Sequence, residues 1–215
     1  MVWTDVTLNR DDPREQKRMA VLRTGARLFN AHGFDRTSLD DIASELNVSK
    51  RTLYYYVKNK DDILFECSRL ALEFMQEATD NSKNLDMPPL DRLAIVMRSY
   101  MDLLSNEFGA CLVLSKDRVL SNDSQKILRS GRRALDQTVR ELIEQGIADG
   151  TIVPCEPKLA AAALFGAFNW VPHWHGEGDR DDYAEIASNF LSIFLEGLRT
   201  PLNAIIGFSE ILEKE

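Results

Sequence analysis

Apolar positions recur with the 3.6-residue period of amphipathic helices along almost the whole chain, and no alternating strand pattern interrupts them. The pattern predicts an all-α protein. A first helix opens near Pro13, a residue suited to a first helical turn, with Glu15 behind it. Leu22, Ala26 and Phe29 form its apolar stripe, flanked by Val21 and Leu28, and His32-Gly33 ends it. Thr37 or Ser38 starts a second helix, with Asp40 and Asp41 in its first turn. Leu39, Ile42, Ala43 and Leu46 give it one buried face. Asn47-Val48 is a turn, and Ser49 caps a third short helix that runs to about residue 57.

Further helices are expected over about 61–79, from Pro88-Pro89 to Leu104, over about 122–149, over 157–171 and from about 181 to 198. A polar loop is expected at 80–84 and an interruption at Gly109. Residues 157–171 are apolar nearly all round, which calls for burial on several faces. The organisation expected is a flexible N-terminus over 1–13, a small helical unit over 14–60, a helical body over 61–198 and an extra helix over 199–215.

Charge sharpens this division. The chain carries 26 Lys and Arg against 34 Asp and Glu, a net of −8. Residues 1–60 carry 11 cations against 8 anions, whereas the remainder carries 15 against 26. A basic head on an acidic body suits contact with DNA at one end only, although an excess of that size alone decides nothing. The three cysteines, Cys67, Cys111 and Cys155, are far apart and lack zinc-site spacing, so they read as reduced thiols. No secretory start and no apolar run of the ~20 residues a membrane span needs is apparent, so a cytoplasmic protein is expected. No nucleophile–base set, glycine-rich phosphate loop or metal constellation is apparent, and neither enzyme activity nor a cofactor is expected.

The informative stretch is 38–60, SLDDIASELNVSKRTLYYYVKNK. Two short helices meet at a tight turn, the first burying Ile42 and Leu46, the second Val48 and Leu53. Ser49, Lys50, Arg51, Thr52 and Tyr55 are left outward near the start of the second, where a recognition helix faces base edges in the major groove. Lys50 and Arg51 can donate to guanine O6 and N7, Arg51 in bidentate fashion. The hydroxyls of Ser38, Ser49, Thr52, Tyr54 and Tyr55 can bond phosphate oxygens, which set register rather than sequence. Lys60, beside the next helix start, is expected to attract a further phosphate. Tyr54 and Tyr56 are expected to pack partly inward.

The set Val21-Leu22, Ala26, Leu28-Phe29, Gly33-Phe34, Thr37-Ser38, Asp41-Ile42-Ala43, Val48-Ser49, Thr52-Leu53-Tyr54-Tyr55-Tyr56-Val57 and Lys60 resembles the DNA-binding domain of the tetracycline-repressor family. The match covers about residues 14–65. Asn47 stands where that family usually has Gly, and Asn tolerates the left-handed conformation such a turn needs. The resemblance implies a double-stranded DNA operator as partner, a homodimer, and a helical second domain holding a small-molecule effector.

Within the body, Tyr100, Met101, Leu104, Phe108 and Phe165 either line the effector site or belong to the plain core. Asn169-Trp170-Val171-Pro172-His173-Trp174-His175 is similar to an Asn-Trp…Trp-Tyr motif of a subgroup of the family, several of which sense acyl-CoA thioesters; His175 here replaces the Tyr. On that resemblance Asn169, Trp170 and Trp174 border the effector, while the alternative is a pair of core or interface aromatics. His173 and His175, at i and i+2, do not face one way and suggest no metal site. The last two helices match those that pair in the family's dimers, which assigns Ala163, Ala167, Ala187, Phe190, Leu191 and Phe194 to the interface; burial against their own body is the alternative.

Residues 198–212, LRTPLNAIIGFSEIL, resemble the phospho-acceptor helix of sensor histidine kinases. The position three before Arg199 is Glu196, where that family has His, so phosphotransfer is excluded. The tail is an appended dimerisation helix, a relic or a fusion joint. The leading reading is therefore a homodimeric repressor of a pseudo-palindromic operator, released by a small hydrophobic effector. The alternative is a signalling module whose tail couples to a kinase-like partner.

Overall fold

The computed structural model describes residues 12–115, 117–175 and 182–199. Among these, every regular element is helical: α1 (Pro13–His32), α2 (Leu39–Glu45), α3 (Lys50–Leu53), α4 (Lys60–Lys83), α5 (Pro89–Leu104), α6 (Glu107–Leu114), α7 (Asn122–Ala148), α8 (Pro157–Trp174) and α9 (Tyr183–Arg199), with one 3-10 turn at Asp117–Val119. Expected features at 1–11 and 200–215, including most of the kinase-like tail, lie outside the described residues.

Local chemistry explains the boundaries. Asp12 caps α1 by accepting from Arg14 N at 2.8 Å, with Pro13 in the first turn. At the other end Gly33 adopts φ 85° and ψ 148°, a positive φ that leaves the helix in an extended rather than a left-handed helical conformation. Ser38, not Thr37, caps α2 in a reciprocal box with Asp41. Asn47 takes φ 54°, the left-handed conformation its side chain type permits. Asn59 caps α4 and Asn106 caps α6.

Two expected breaks fall elsewhere. The polar stretch 80–83 continues α4, because Asp80 pairs within the helix with Gln76 and Lys83, and Ser82 is buried. Gly109 lies inside α6, and the break comes at Ser105-Asn106. A Cβ at Gly109 would stand 2.0 Å from the Leu103 carbonyl oxygen, so the glycine permits α6 to fold back against α5.

α1 packs on α4 and α6, and α4 packs in turn on α5, α6 and α7. One continuous apolar core runs from Met19 in α1 to Leu191 in α9. The head and body thus share α4 as a common strut. A half-buried ion-pair cluster fastens the same joint: Glu66 of α4 accepts from Arg18 of α1 at 2.6 Å and from Arg69 at 3.0 Å.

α8 departs from the expected all-round burial. Ala161, Leu164, Phe168 and Val171 are buried, while Leu159, Ala162, Ala163, Gly166, Trp170 and Trp174 face outward. These outward positions recur at helical spacing and form an apolar stripe. α9 packs chiefly on α5. It places Ala187 and Leu191 in the protomer's own core, leaves Phe190 and Phe194 half-buried, and turns Ile193 outward at 68% exposure. Ala187 and Leu191 therefore fall on the inward face of α9, contrary to their expected interface role. Among the described residues, no helix is long and apolar enough to cross a membrane.

Candidate DNA-binding surface and effector cavity

The head builds its exposed front from α2 and α3. Ile42, Ala43 and Leu53 are buried, and Leu46 is half-buried. Val48, expected inside, is 39% exposed and lines a shallow groove with Lys17, Val21 and Tyr56. With those anchors inward, Ser49, Lys50, Arg51, Tyr54 and Tyr55 stand exposed, and Thr52 is half-exposed. Tyr54, expected to pack partly inward, is 54% exposed; Tyr56 takes the packed position. The helix proper ends at Leu53, but Val57 N still donates to Leu53 O at 3.0 Å, carrying the turn on to the expected residue 57.

Hydrogen bonding sorts the predicted contacts. Arg51 makes no side-chain hydrogen bond or ion pair among the described residues, and its five donors face solvent. Lys50 bonds Asp40 of α2 at 2.8 Å; that bond holds its ammonium above the ordinary lysine range. Both partners are exposed, and such a pair exchanges readily for a phosphate or a base edge. Ser49 and Thr52 share one hydroxyl bond at 2.8 Å, which leaves one of their two hydroxyl protons to donate outward.

Two predicted phosphate donors are already committed. The Ser38 hydroxyl donates to Asp41 at 2.8 Å while accepting from Asp41 N, so its proton serves the α2 cap. The same box holds the Asp41 carboxyl below its usual range, first through the Ser38 backbone bond. The Lys60 ammonium turns into the fold. It donates to Phe34 O at 3.0 Å and Thr37 O at 3.3 Å, and lies 4.3 Å from the centroid of the Phe34 ring. Lys60 clamps the loop between α1 and α2 rather than offering its charge to DNA.

The body contains a cavity of about 650 Å³ lined from five helices and the loop before α7. Leu72 of α4, Leu112 and Val113 of α6, Leu135 of α7 and Phe165 of α8 supply apolar walls. Gln125, Arg129, Arg132 and Asp136 follow one another at helical spacing along one face of α7, with Arg118 and Ser115 nearby in the chain. Arg132 also donates to Leu112 O at 3.3 Å, and Asp136 is paired with Arg140 at 2.5 Å. Three guanidinium groups against one paired carboxylate make this side cationic. Tyr100 and Asn169 complete the lining, joined by a short hydrogen bond from the phenol to Asn169 Oδ1. Phe165 stands edge-on to Tyr100 at 5.3 Å. Burial pushes the Tyr100 phenol well above its ordinary range, so it remains a donor.

Of the effector residues expected from sequence, Tyr100, Phe165 and Asn169 line this cavity. Met101, Leu104 and Phe108 are wholly buried core and do not reach it. Trp170 and Trp174 lie outside it, 62% and 49% exposed on the α8 stripe, with Trp170 stacked on His173 at 4.7 Å. Sequence reading missed the arginines. The available signal was an amphipathic α7 whose stripe places Arg129 and Arg132 beside the buried Leu128 and Leu135.

Comparison with known proteins identifies the architecture. Residues 86–198 match the family model described as tetracyclin repressor-like, C-terminal domain, and residues 21–67 match that of bacterial regulatory proteins, tetR family. The chain belongs to the tetracycline-repressor family. It is a helix-turn-helix, DNA-binding regulator of transcription. The fatty acid metabolism regulator protein of Bacillus subtilis is 23% identical over 86% of this chain and 97% of its own. The ketosteroid regulator KstR2 of Mycobacterium tuberculosis shares the fold with a TM-score of 0.80 at 18% identity, covering 86% and 96% of the two chains. AibR, solved with isovaleryl coenzyme A and operator DNA, has a TM-score of 0.72 at 22% identity over 82% and 97%. Residues 199–215, expected to form an extra helix, lie beyond the matched segment, which ends at residue 198.

Proposed function

We propose that this tetracycline-repressor family member is a homodimeric repressor whose operator affinity is relieved by an acyl-CoA thioester bound in the body cavity. The carrying observation is the cavity's two-sided chemistry: aliphatic and aromatic walls facing a cluster of Arg118, Arg129 and Arg132. Its volume lies within the range of small-molecule sites. An acyl chain fills the apolar part, and the phosphates of the carrier meet guanidinium donors suited to them. Two related proteins carry matching chemistry in their names, a fatty acid metabolism regulator and a protein bound to isovaleryl coenzyme A.

On the DNA side, Arg51 and Lys50 read bases, while Ser49, Thr52, Tyr54 and Tyr55 meet the backbone. The dimer is made by the exposed stripe of Leu159, Ala163, Gly166 and Trp170 on α8 together with Ile193 of α9. A two-fold partner places the second recognition helix ~34–36 Å away, one turn of the duplex. The protein acts where its operator is, in the bacterial cytoplasm. The signalling-module alternative gains no support from these observations.

Coupling follows from α6. At its start Glu107 O accepts from Asn30 of α1 at 2.9 Å, and the Glu107 carboxylate lies 3.6 Å from Arg23. At its end Leu112 and Val113 form cavity wall. The effector releases the operator only if it binds the non-operator arrangement of these helices more tightly. The test selects an operator from random duplexes with the purified protein, then titrates the complex with acyl-CoAs of graded chain length, free fatty acids and CoA. Release by acyl-CoAs supports the reading. A DNA-bound fraction unmoved by every acyl-CoA refutes it.

A further inference from the structure

The polar groups of the cavity fall into two sets. Ser115, Arg118, Gln125, Arg129, Arg132 and Asp136 come from one continuous stretch of chain. The remaining pair, Tyr100 and Asn169, comes from α5 and α8, and Asn169 lies one helical turn beyond Phe165. A side-chain amide offers two acceptor sites on oxygen and two donors on nitrogen. Here the phenol of Tyr100 donates to Oδ1, and the short length of that bond suits an O–H···O pair rather than an N–H···O one, so the oxygen is the engaged half of the amide. Asn169 Nδ2 takes part in no hydrogen bond among the described residues, and it is not among the buried unpaired atoms, which are Asn30 Oδ1, Arg92 Nε and Arg140 Nε. An oriented, accessible N–H₂ group therefore belongs to a residue of the cavity wall.

We infer that Asn169 is the specificity-determining donor to the carbonyl oxygen of an acyl effector, and that Tyr100 is the positioning residue that turns the amide to do so. The inference rests on the acyl-effector reading above and adds to it the group that is read. A saturated acyl chain offers no acceptor, and phosphates have arginines available. The carrier's pantetheine arm adds two amide carbonyls and a hydroxyl on the way to the phosphates, and the thioester carbonyl is the acceptor that adjoins the acyl chain itself, which the thioester–thioether comparison isolates. An amide donor dried by a ligand with no acceptor is left unsatisfied, which is the larger part of such discrimination.

The experiment compares octanoyl-CoA with S-octyl-CoA, the thioether that lacks only the carbonyl oxygen, with butyryl and palmitoyl pairs alongside. Binding is read by calorimetry on the full chain, and circular dichroism with operator binding confirms that each variant is folded. Wild type should prefer the thioester by about five- to tenfold. Asn169→Ala should abolish that preference by weakening the thioester while leaving the thioether unchanged. Asn169→Asp, with no donor and a charge aimed at the carbonyl, should bind the thioester more weakly still. Tyr100→Phe should give an intermediate preference, because the amide is present but free to turn. Equal wild-type affinity for thioester and thioether overturns the inference while leaving the acyl-CoA reading intact. Equal loss of both ligands in Asn169→Ala also overturns it, since a purely structural residue behaves so. If wild type binds neither, the effector reading fails and the inference falls with it.

Discussion

Replacing Lys60 by Met tests whether this lysine is a clamp or a DNA contact. The substitution keeps a long apolar stem and removes the ammonium, which now serves Phe34 O at 3.0 Å, Thr37 O at 3.3 Å and the Phe34 ring at 4.3 Å. A hydrogen bond to a charged group is worth ~1.5–3 kcal/mol and an exposed cation–π contact ~0.5–1 kcal/mol. The second bond is long and the side chain half-buried, so the total loss is about 2–3 kcal/mol after discounting for solvent. For a chain of this size each kcal/mol moves Tm by ~2–4 °C, giving a fall of about 5–10 °C. Differential scanning calorimetry reads it, with protein concentration held constant because a dimer's Tm depends on it. Operator affinity should fall on every duplex, yet the slope of log K against log salt should stay unchanged, since no phosphate contact has been lost. A phosphate-bound lysine does the opposite: the slope drops by ~0.9 and Tm holds. That second pair of results refutes the clamp.

Arg51→Ala should weaken specific binding by ~1–3 kcal/mol and relax preference at one base position; equal loss on all sequences in a gel-shift series removes its base-reading role. For Glu66, burial is the strongest single influence and raises its carboxyl pKa, but the bonds from Arg69 and Arg18 outweigh it and the net direction is down. A lowered folded-state pKa means the cluster's stabilisation is intact above the ordinary carboxylate range and is lost as pH falls through the folded value. The urea midpoints of wild type and Glu66→Gln should therefore differ at neutral pH and draw together as pH falls below the ordinary carboxylate range, and a gap that does not narrow on acidification is the contrary result. Ile193→Glu, which places a charge at the centre of the proposed interface, should weaken self-association by about 100-fold without unfolding the protomer, as read by light scattering across a dilution series; an unchanged mass moves the interface elsewhere.

What was legible in the sequence is chemistry that closes within one helical turn. Ser49 as a cap and the left-handed Asn47 each depend on neighbours a few residues away, and each appears where the sequence placed it; the start of α2, left between Thr37 and Ser38, falls at Ser38, with Asp41 of the expected first turn closing a reciprocal box. The exposed front of α3 followed from the same local spacing. Lys60 escaped because its carbonyl partners lie 26 and 23 residues upstream. The cavity escaped for a related reason: its wall is assembled from α4 to α8, and which face of α7 turns towards it is set by packing, not by α7's own periodicity. Trp170 and Trp174 show the limit of an apolar stripe. The pattern says which residues share a face, but only the packing of α8 shows that this face points away from the cavity.

The joint between head and body explains why such a cavity can govern such a head. α6 is only eight residues long, about 12 Å from end to end, so its cavity-wall residues and its contacts with α1 belong to one stiff unit. Its interior cannot absorb a displacement: Cys111 and Phe108 are wholly buried, and Gly109 has no room for a methyl group beside the Leu103 carbonyl. Close-packed cores shift between discrete arrangements rather than yielding gradually. A ligand that displaces Leu112 or Val113 therefore acts on Asn30 and Arg23 through Glu107, and so on α1, against which the recognition unit is built. Moving the equilibrium from almost fully operator-competent to almost fully released takes ~10⁴-fold preferential binding. Apolar contact alone gives little such discrimination, because a chain slides. A chain tethered at its carbonyl and its phosphates has one register against α6, and that fixed register is what makes preferential binding of one arrangement attainable.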